Sequence, residues 1–207
     1  MSTIYRNLES SYNGTADTSW YDVYAAEDSS ETEFVIATNA DLYGFASLAA
    51  SNNFAGKTVY VVADIDANGA KYSWTPISTS DKPFNGTLDG QGHTISNISQ
   101  ADLVSKCAGL FGSTEVDSII RNLRVTDSTF TYPGSGNNGW MGTIVGLANG
   151  GTFQNIYSNA DLSSGAWGTG GIVGVMTKNV IVSNCWFDGD IKSTANQDSC
   201  RTGGIVG

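Results

Sequence analysis

Three aspartates, Asp64, Asp66 and Asp89, are the residues of this sequence best suited to catalysis or calcium binding. Glycoside hydrolysis needs two carboxyl groups held close together, and calcium is bound by several carboxylate oxygens. Asp89 precedes Gly90 in a turn dipeptide, and Asp64 and Asp66 end an apolar strand pattern, so all three also fit ordinary turns. Clustering of the three in a cleft would favour a carbohydrate-active enzyme, either a polysaccharide lyase or a glycosidase. Scattering over separate turns would favour a scaffold, which is the interpretation we prefer.

The motifs of several common enzyme classes are missing from the sequence. An HExxH zinc site needs two histidines, and the chain has one, His93. A Ser-His-Asp triad would have to use His93, which lies in a tight Gly-Gln-Gly-His turn, and no serine lies in a Gly-x-Ser-x-Gly elbow. The glycines between Gly168 and Gly174 lack both the GxGxxG spacing and a following helix. We therefore predict no catalytic residues, no metal and no cofactor.

The three cysteines, Cys107, Cys185 and Cys200, are odd in number and include no CxxC pair. A full disulfide framework and a zinc ribbon are therefore excluded. Cys185 occupies a position that is Ile or Leu in the other repeats described below, so we expect a buried free thiol there. The alternative is a bridge between Cys185 and Cys200.

Charge and composition limit the partners of this protein of 207 residues. The net charge is −10, with 20 acidic against 10 basic residues and no basic stripe, so we expect no nucleic-acid partner. No apolar run approaches the ~20 residues of a membrane span, so we expect no membrane insertion. Only 14% of the residues are charged and 25 are glycine, which predicts many turns and few helices.

A repeat organises the second half of the chain. A tetrad recurs as Gly109-Leu110-Phe111-Gly112, Thr143-Ile144-Val145-Gly146, Gly171-Ile172-Val173-Gly174 and Gly204-Ile205-Val206-Gly207. A second motif recurs as Ile95-Ser96-Asn97-Ile98, Ile120-Arg121-Asn122-Leu123, Phe153-Gln154-Asn155-Ile156 and Val182-Ser183-Asn184-Cys185. Short apolar segments bounded by Gly or Asn predict strands, and units of about 30 residues bury such strands only by stacking on one another. The sequence therefore predicts an all-β fold, a parallel β-helix (solenoid).

The asparagine of the second motif is predicted to be structural. Apolar residues lie two positions before and one position after it, and a straight strand would place these on opposite faces. Both face inward only if the chain bends at the asparagine, which tolerates the left-handed conformation. Stacking would then align Asn97, Asn122, Asn155 and Asn184 in a ladder of side-chain amides.

An outward column is predicted beside this ladder. The residue after each core position should point to solvent, and that column reads Ser99, Arg124, Tyr157 and Trp186. Strands of neighbouring coils lie ~4.8 Å apart, so these side chains would stack. Arg124, Tyr157 and Trp186 are therefore our candidate binding residues for a sugar ring or a protein partner, and the alternative is that they only shield the sheet.

The N-terminal part is predicted to cap the solenoid. Residues 1–33 form an acidic, polar lead-in or linker. Residues 34–57 form a cap with a helix at about 39–50, where Leu42, Phe45 and Ala49 share one face. Residues 58–207 form the repeats. The tetrad at 204–207 has no matching second motif after it, so we expect further repeats or domains of the same chain beyond Gly207.

The repeats resemble those of GLUG-motif proteins. The resemblance covers roughly residues 20–207 and is carried by the segment from Phe84 to Ile98, by Gly109-Leu-Phe-Gly112 and by the repeated Gly-Ile-Val-Gly. GLUG-motif proteins are bacterial surface and secreted proteins with right-handed parallel β-helix repeats, many of them adhesin-like. The resemblance implies a non-catalytic, surface-displayed scaffold or spacer that binds host or environmental glycans or proteins. It also implies an extracellular or cell-surface location, with signal and anchor outside this segment.

Overall fold

Short parallel strands make up most of the regular structure. The computed structural model describes residues 11–21, 30–101, 106–133, 139–194 and 200–207. The helix α1 is Asn39–Ala49. The strands are β1 (Glu33–Ile36), β2 (Thr58–Val61), β3 (Ile65–Asp66), β4 (Thr87–Asp89), β5 (Thr94–Ser96), β6 (Ser99–Gln100), β7 (Cys107–Ala108), β8 (Phe111–Thr114), β9 (Ile119–Thr126), β10 (Thr129–Tyr132), β11 (Trp140–Gly142), β12 (Val145–Ala148), β13 (Gly151–Ser158), β14 (Asp161–Ser164), β15 (Gly168–Gly170), β16 (Val173–Met176), β17 (Val180–Ser183), β18 (Trp186–Phe187), β19 (Ile191–Ser193) and β20 (Arg201–Gly203).

The strands form a parallel β-solenoid of about four turns, as the repeat predicts. Four sheets run along it, with the orders β1-β2-β4-β9-β13-β17, β6-β10-β14-β19, β7-β11-β15-β20 and β8-β12-β16. In the first sheet β3 also pairs with β5, β5 pairs with β9, and β18 pairs with β13. The coils that begin with β9 and β13 thus place one strand in each sheet, and each of these strands pairs with its copy in the next coil.

The core is a set of apolar columns that run through the coils. Ile120 pairs with Phe153 and Leu123 pairs with Ile156, and all four side chains are buried. The two middle residues of the first three tetrads form two further buried columns, which are Leu110, Ile144 and Ile172, and Phe111, Val145 and Val173. Because each residue packs on its equivalent in the next coil, the repeat pattern and the core are the same feature.

Thr143 occupies the first tetrad position, where the other three copies have glycine. Its side chain is fully buried, and its Oγ1 donates a hydrogen bond of 2.6 Å to the carbonyl of Gly171 in the next coil. The hydroxyl therefore finds a partner that a buried polar group requires. The departure from glycine changes one local contact and leaves the stacking intact.

Helix α1 covers the N-terminal end of the core. It begins with a capping box, in which the Thr38 side chain accepts from the Asp41 N–H and the Asp41 carboxylate accepts from the Thr38 N–H. Leu42, Phe45 and Ala49 are buried, as the spacing predicts. The predicted helix at 39–50 is thus found at Asn39–Ala49 and caps the solenoid.

Part of the acidic lead-in packs on this cap. Trp20 is fully buried and its ring lies 5.9 Å from that of Phe45. The ring of Tyr12 stacks on Tyr43 at 4.0 Å, and the Asp17 N–H donates to the carbonyl of Ala40. Residues 1–10 and 22–29 of the lead-in lie outside the described residues. Residues 11–21 therefore belong to the packed cap.

The last described coil has a more exposed core side. Val182 and Cys185 are half-buried, whereas Phe153 and Ile156, their equivalents one coil earlier, are buried. In the part of the chain that the structure describes, no helix has both the length and the apolar character to cross a bilayer.

Candidate functional site

The first sheet bends at an asparagine in each of three successive coils. Strand β9 is continuous through the bend, since its first half pairs with β4 and its second half with β5. Asn122, Asn155 and Asn184 have φ values of 55°, 55° and 51°, in the left-handed region. This conformation turns the backbone so that Ile120 and Leu123, on either side of Asn122, both reach the core, as predicted.

The amides of these asparagines form a hydrogen-bonded ladder. Asn184 Nδ2 donates to Asn155 Oδ1 at 3.2 Å, and Asn155 Nδ2 donates to Asn122 Oδ1 at 2.9 Å. Asn122 Nδ2 donates in turn to Asp89 Oδ1 at 3.0 Å. All three bonds point in the same direction along the solenoid and end on a carboxylate. Such chains polarise one another, so the ladder is a cooperative network.

Asn97 is not a member of the ladder, which corrects our prediction. Strand β5 pairs with the second half of β9, with Ile95 opposite Val125 and Ser96 opposite Thr126. This register places Asn97 near Asp127, at a different corner, where both residues also have positive φ values. The ladder position in this coil belongs to Asp89 and Gly90. The physical reason is register, because the similar motifs around Asn97 and Asn122 lie in successive coils and serve two different corners.

Asp89 anchors the ladder from an almost buried position, with 9% of its side chain exposed. Its carboxylate accepts from Asn122 Nδ2, from the Gln91 N–H at 3.0 Å, and from Arg121 Nε at 2.8 Å. Burial alone would raise the pKa of Asp89, but the hydrogen bonds from Asn122, Gln91 and Arg121 outweigh it and hold the pKa below its ordinary value. Asp89 is therefore an ionised structural anchor.

We expect Asp89→Asn to lower the free energy of unfolding by about 1–2 kcal/mol at pH 7, because an amide loses the charge-assisted bond to Arg121. Since the folded pKa is lowered, the contribution of Asp89 is complete above the ordinary carboxyl pKa and disappears as the pH falls through the folded value. The free energies of unfolding of wild type and Asp89→Asn should thus converge at acidic pH. Urea denaturation followed by circular dichroism measures both.

The matched control for this measurement is Asp66→Asn. Asp66 is exposed and accepts only a local bond from the Asn68 N–H, so the change should alter stability by less than about 0.5 kcal/mol at every pH. If the difference in unfolding free energy between wild type and Asp89→Asn stayed constant down to acidic pH, this would contradict the anchoring role of the charge.

The outward column lies two residues beyond the ladder. Arg124 pairs with Tyr157 and Tyr157 pairs with Trp186 in successive coils, so the three candidate residues are in register. The guanidinium carbon of Arg124 lies 4.4 Å from the centre of the Tyr157 ring, a cation–π contact. Trp186 is 66% exposed. Ser99 is not part of this column, because it pairs with Thr129 in another sheet, and Thr94 takes its place.

The ladder and the column together line an open groove. The groove has a volume of about 680 Å³ and runs across four coils, from Asp89 to Asn184 and Trp186. The ladder contributes amide donors and acceptors to the groove, and the column contributes a guanidinium and two aromatic rings. Bidentate or stacked contacts with an elongated polar ligand fit this combination. The groove is the best-defined candidate site of the described residues.

The other candidate carboxylates have separate partners. Asp64 is exposed and accepts from the Thr94 N–H at 2.8 Å and from His93 Nδ1 at 3.2 Å, and these two bonds lower its pKa. Asp66 holds the turn at Asn68 and lines a different groove from Asp89. Within the described residues, no group of three or more His, Cys, Asp or Glu side chains is arranged to hold a metal ion.

The three cysteines are free thiols. Cys107 is buried, and burial raises its pKa to about 12. Cys185 lies in the core column as predicted but is half-buried, because it belongs to the last described coil. Burial also raises the pKa of Cys185. The bridge between Cys185 and Cys200 is therefore absent from this structure.

Sequence reasoning missed Asp89 as the anchor of the ladder. The signal that identifies it is spacing, since Asn97 precedes Asn122 by 25 residues, whereas the ladder pair of Asp89 and Asn122 is separated by 33. The tetrads start 28 to 34 residues apart, so only the longer step spans one coil. Motif similarity alone selected the wrong residue.

Comparison with known proteins yields one informative similarity. No protein-family model matches the chain, so the GLUG assignment stays a prediction. No solved structure matches it either. The chain is 33% identical over 163 residues to halomucin of Haloquadratum walsbyi (strain DSM 16790 / HBSQ001). The similarity covers 75% of this chain but about 2% of the length of halomucin, so what the chain resembles is one small part of a very large protein.

Proposed function

We propose that the chain is a non-catalytic, surface-displayed repeat module of an adhesin-like protein, and that it binds an extended glycan in the groove between the asparagine ladder and the Arg124–Tyr157–Trp186 column. The observation that carries the proposal is the register of these two rows over successive coils. The exposed ring of Trp186 and the half-buried ring of Tyr157, beside a row of amide groups, suit the apolar faces and hydroxyl groups of sugars.

The solenoid also supports a spacer role. Parallel strands pair coil on coil, so added coils lengthen the module without changing its cross-section. Halomucin, the relative reported above, is far longer than this chain, and an extracellular or cell-surface location is consistent with that similarity. In this proposal a further coil, stacked in the same way, covers the half-buried Val182 and Cys185 and pairs with the parallel strand edges beside them.

A binding screen against host glycans, mucins and environmental polysaccharides tests the proposal. We expect the double variant Tyr157→Ala, Trp186→Ala to weaken any groove-bound ligand at least 30-fold, roughly 2 kcal/mol, because it removes both aromatic faces. Both side chains point outward from β13 and β18, so the variant should keep its circular dichroism spectrum and most of its thermal stability.

Trp167→Ala is the matched control. Trp167 is also exposed, at 36%, but it lies outside the residues that line the groove. Affinity should be unchanged in this variant. A glycan that binds wild type and the double variant equally well would show that the groove is not its site.

A further inference from the structure

We infer that the groove takes an acidic glycan, a chain whose sugars carry carboxylate groups, and that Arg124 receives the carboxylate. The inference rests on the proposed glycan-binding function and adds the chemical class of the ligand.

Arg124 is a cation without an acidic partner. Among the described residues, the ion pairs join His93 to Asp64, Arg121 to Asp89 and Lys178 to Glu115, and none involves Arg124. Its side chain is exposed and lies over the Tyr157 ring, which holds the guanidinium at a defined place on the groove wall. A planar guanidinium that is already positioned suits bidentate hydrogen bonding to a carboxylate.

The asparagine ladder favours the same ligand. Each ladder asparagine uses one N–H of its amide within the ladder, which leaves its second N–H for a ligand. The charged residues lining the groove are Asp89 and Arg124, and Arg121 already neutralises Asp89. Among the described residues that line the groove, Arg124 is therefore the one charge without a counter-ion, and it lies beside a row of amide donors in a protein whose net charge is −10. Donors and a free cation select an acceptor-rich anion over a neutral sugar.

The spacing requires a chain and not a single sugar. Arg124 and Trp186 lie on the same column two coils apart, which is roughly 10 Å at the usual strand separation. Tyr157, between them, has one face covered by Arg124, so Trp186 offers the open ring for stacking. A carboxylate at Arg124 and a sugar face on Trp186 thus belong to different residues of one oligosaccharide.

The experiment compares uronate oligomers with the same oligomers after reduction of their carboxyl groups. Oligogalacturonate and oligomannuronate of defined length are titrated calorimetrically into the folded protein. We expect at least one of them to bind about ten-fold or more tightly than its reduced counterpart, because a charge-assisted bidentate bond is lost on reduction. Raising the salt from about 50 to 500 mM should weaken uronate binding and leave the reduced oligomer unaffected.

Variants of Arg124 test whether this residue binds the carboxylate. Arg124→Gln should remove the preference for the uronate, and Arg124→Lys should retain part of it, because lysine keeps the charge but not the fork. Lys192→Gln removes a cation from β19, in a different sheet, and should bind like wild type.

Three results would overturn the inference but not the proposed function. The first two are equal affinity for the uronate and its reduced form, and uronate binding that Arg124→Gln does not change. The third is binding of neutral glycans alone, weakened by the Tyr157 and Trp186 double variant. Absence of groove binding to every glycan, acidic or neutral, would instead overturn the proposed function and the inference with it.

Discussion

Replacement of Gly174 by alanine is expected to lower the free energy of unfolding by at least about 3 kcal/mol, because the new Cβ would overlap backbone atoms that have no room to move. It would lie 2.4 Å from the carbonyl oxygen of Gly146 in the preceding coil and 2.6 Å from the Met141 nitrogen. Gly174 ends a tetrad, so this close approach of two coils explains why the last tetrad position is glycine. Thermal and urea denaturation measure the loss.

Gly204→Ala is the control for this substitution. Gly204 opens the fourth tetrad, has no atom within 4 Å of a built Cβ, and does not have a positive φ. Alanine there should be neutral or stabilise by up to about 1 kcal/mol, through the reduced entropy of the unfolded chain. Equal stability of the two variants would show that the coils at Gly174 separate easily, contrary to the packing seen here.

Phe45→Ala is expected to cost about 3–5 kcal/mol and to release the N-terminal cap, because it removes a fully buried ring from helix α1. The ring lies 4.9 Å from that of Phe54, 5.8 Å from Phe84 and 6.1 Å from Phe111, so it joins the cap to the first tetrad. Hydrogen exchange should show loss of protection in α1 before the central coils open.

Ser47→Ala separates packing from helix propensity. Ser47 is exposed in the same helix, and alanine is the better helix former, so stability should be unchanged or slightly higher. If Phe45→Ala lost protection uniformly over the chain, the cap and the coils would unfold as one unit.

The repeat made the solenoid predictable from sequence. Leu110, Ile144 and Ile172 each lie in a short apolar segment that is bounded by small residues. Segments this short can bury their side chains only by stacking on one another. The helix was predictable for an equally local reason, since Leu42, Phe45 and Ala49 share one face and Thr38 with Asp41 forms a capping box. These features depend on residues close together in the chain or on exact repetition.

The residues that meet at each corner of the solenoid could not be predicted from the local sequence pattern. Ile95-Ser96-Asn97 has the motif of Ile120-Arg121-Asn122, yet it pairs with the segment ending at Asp127. In the coil before Asn122, Leu88 pairs with Ile120, and the Asp89 carboxylate takes the hydrogen bond of the ladder although this segment has no asparagine. The local sequence pattern predicts that a residue bends the chain. Which residues of the neighbouring coils it contacts depends on the register between the strands.

Sequence patterns alone were enough to predict the parallel solenoid, its capping helix, the left-handed asparagine corners and the column of Arg124, Tyr157 and Trp186. Three further features required the three-dimensional structure: Asp89 anchors the ladder, Thr94 continues the column, and the ladder and the column line one groove. The physical reason is that stacking places side chains about 30 residues apart in contact, and the length of each intervening loop sets which ones meet.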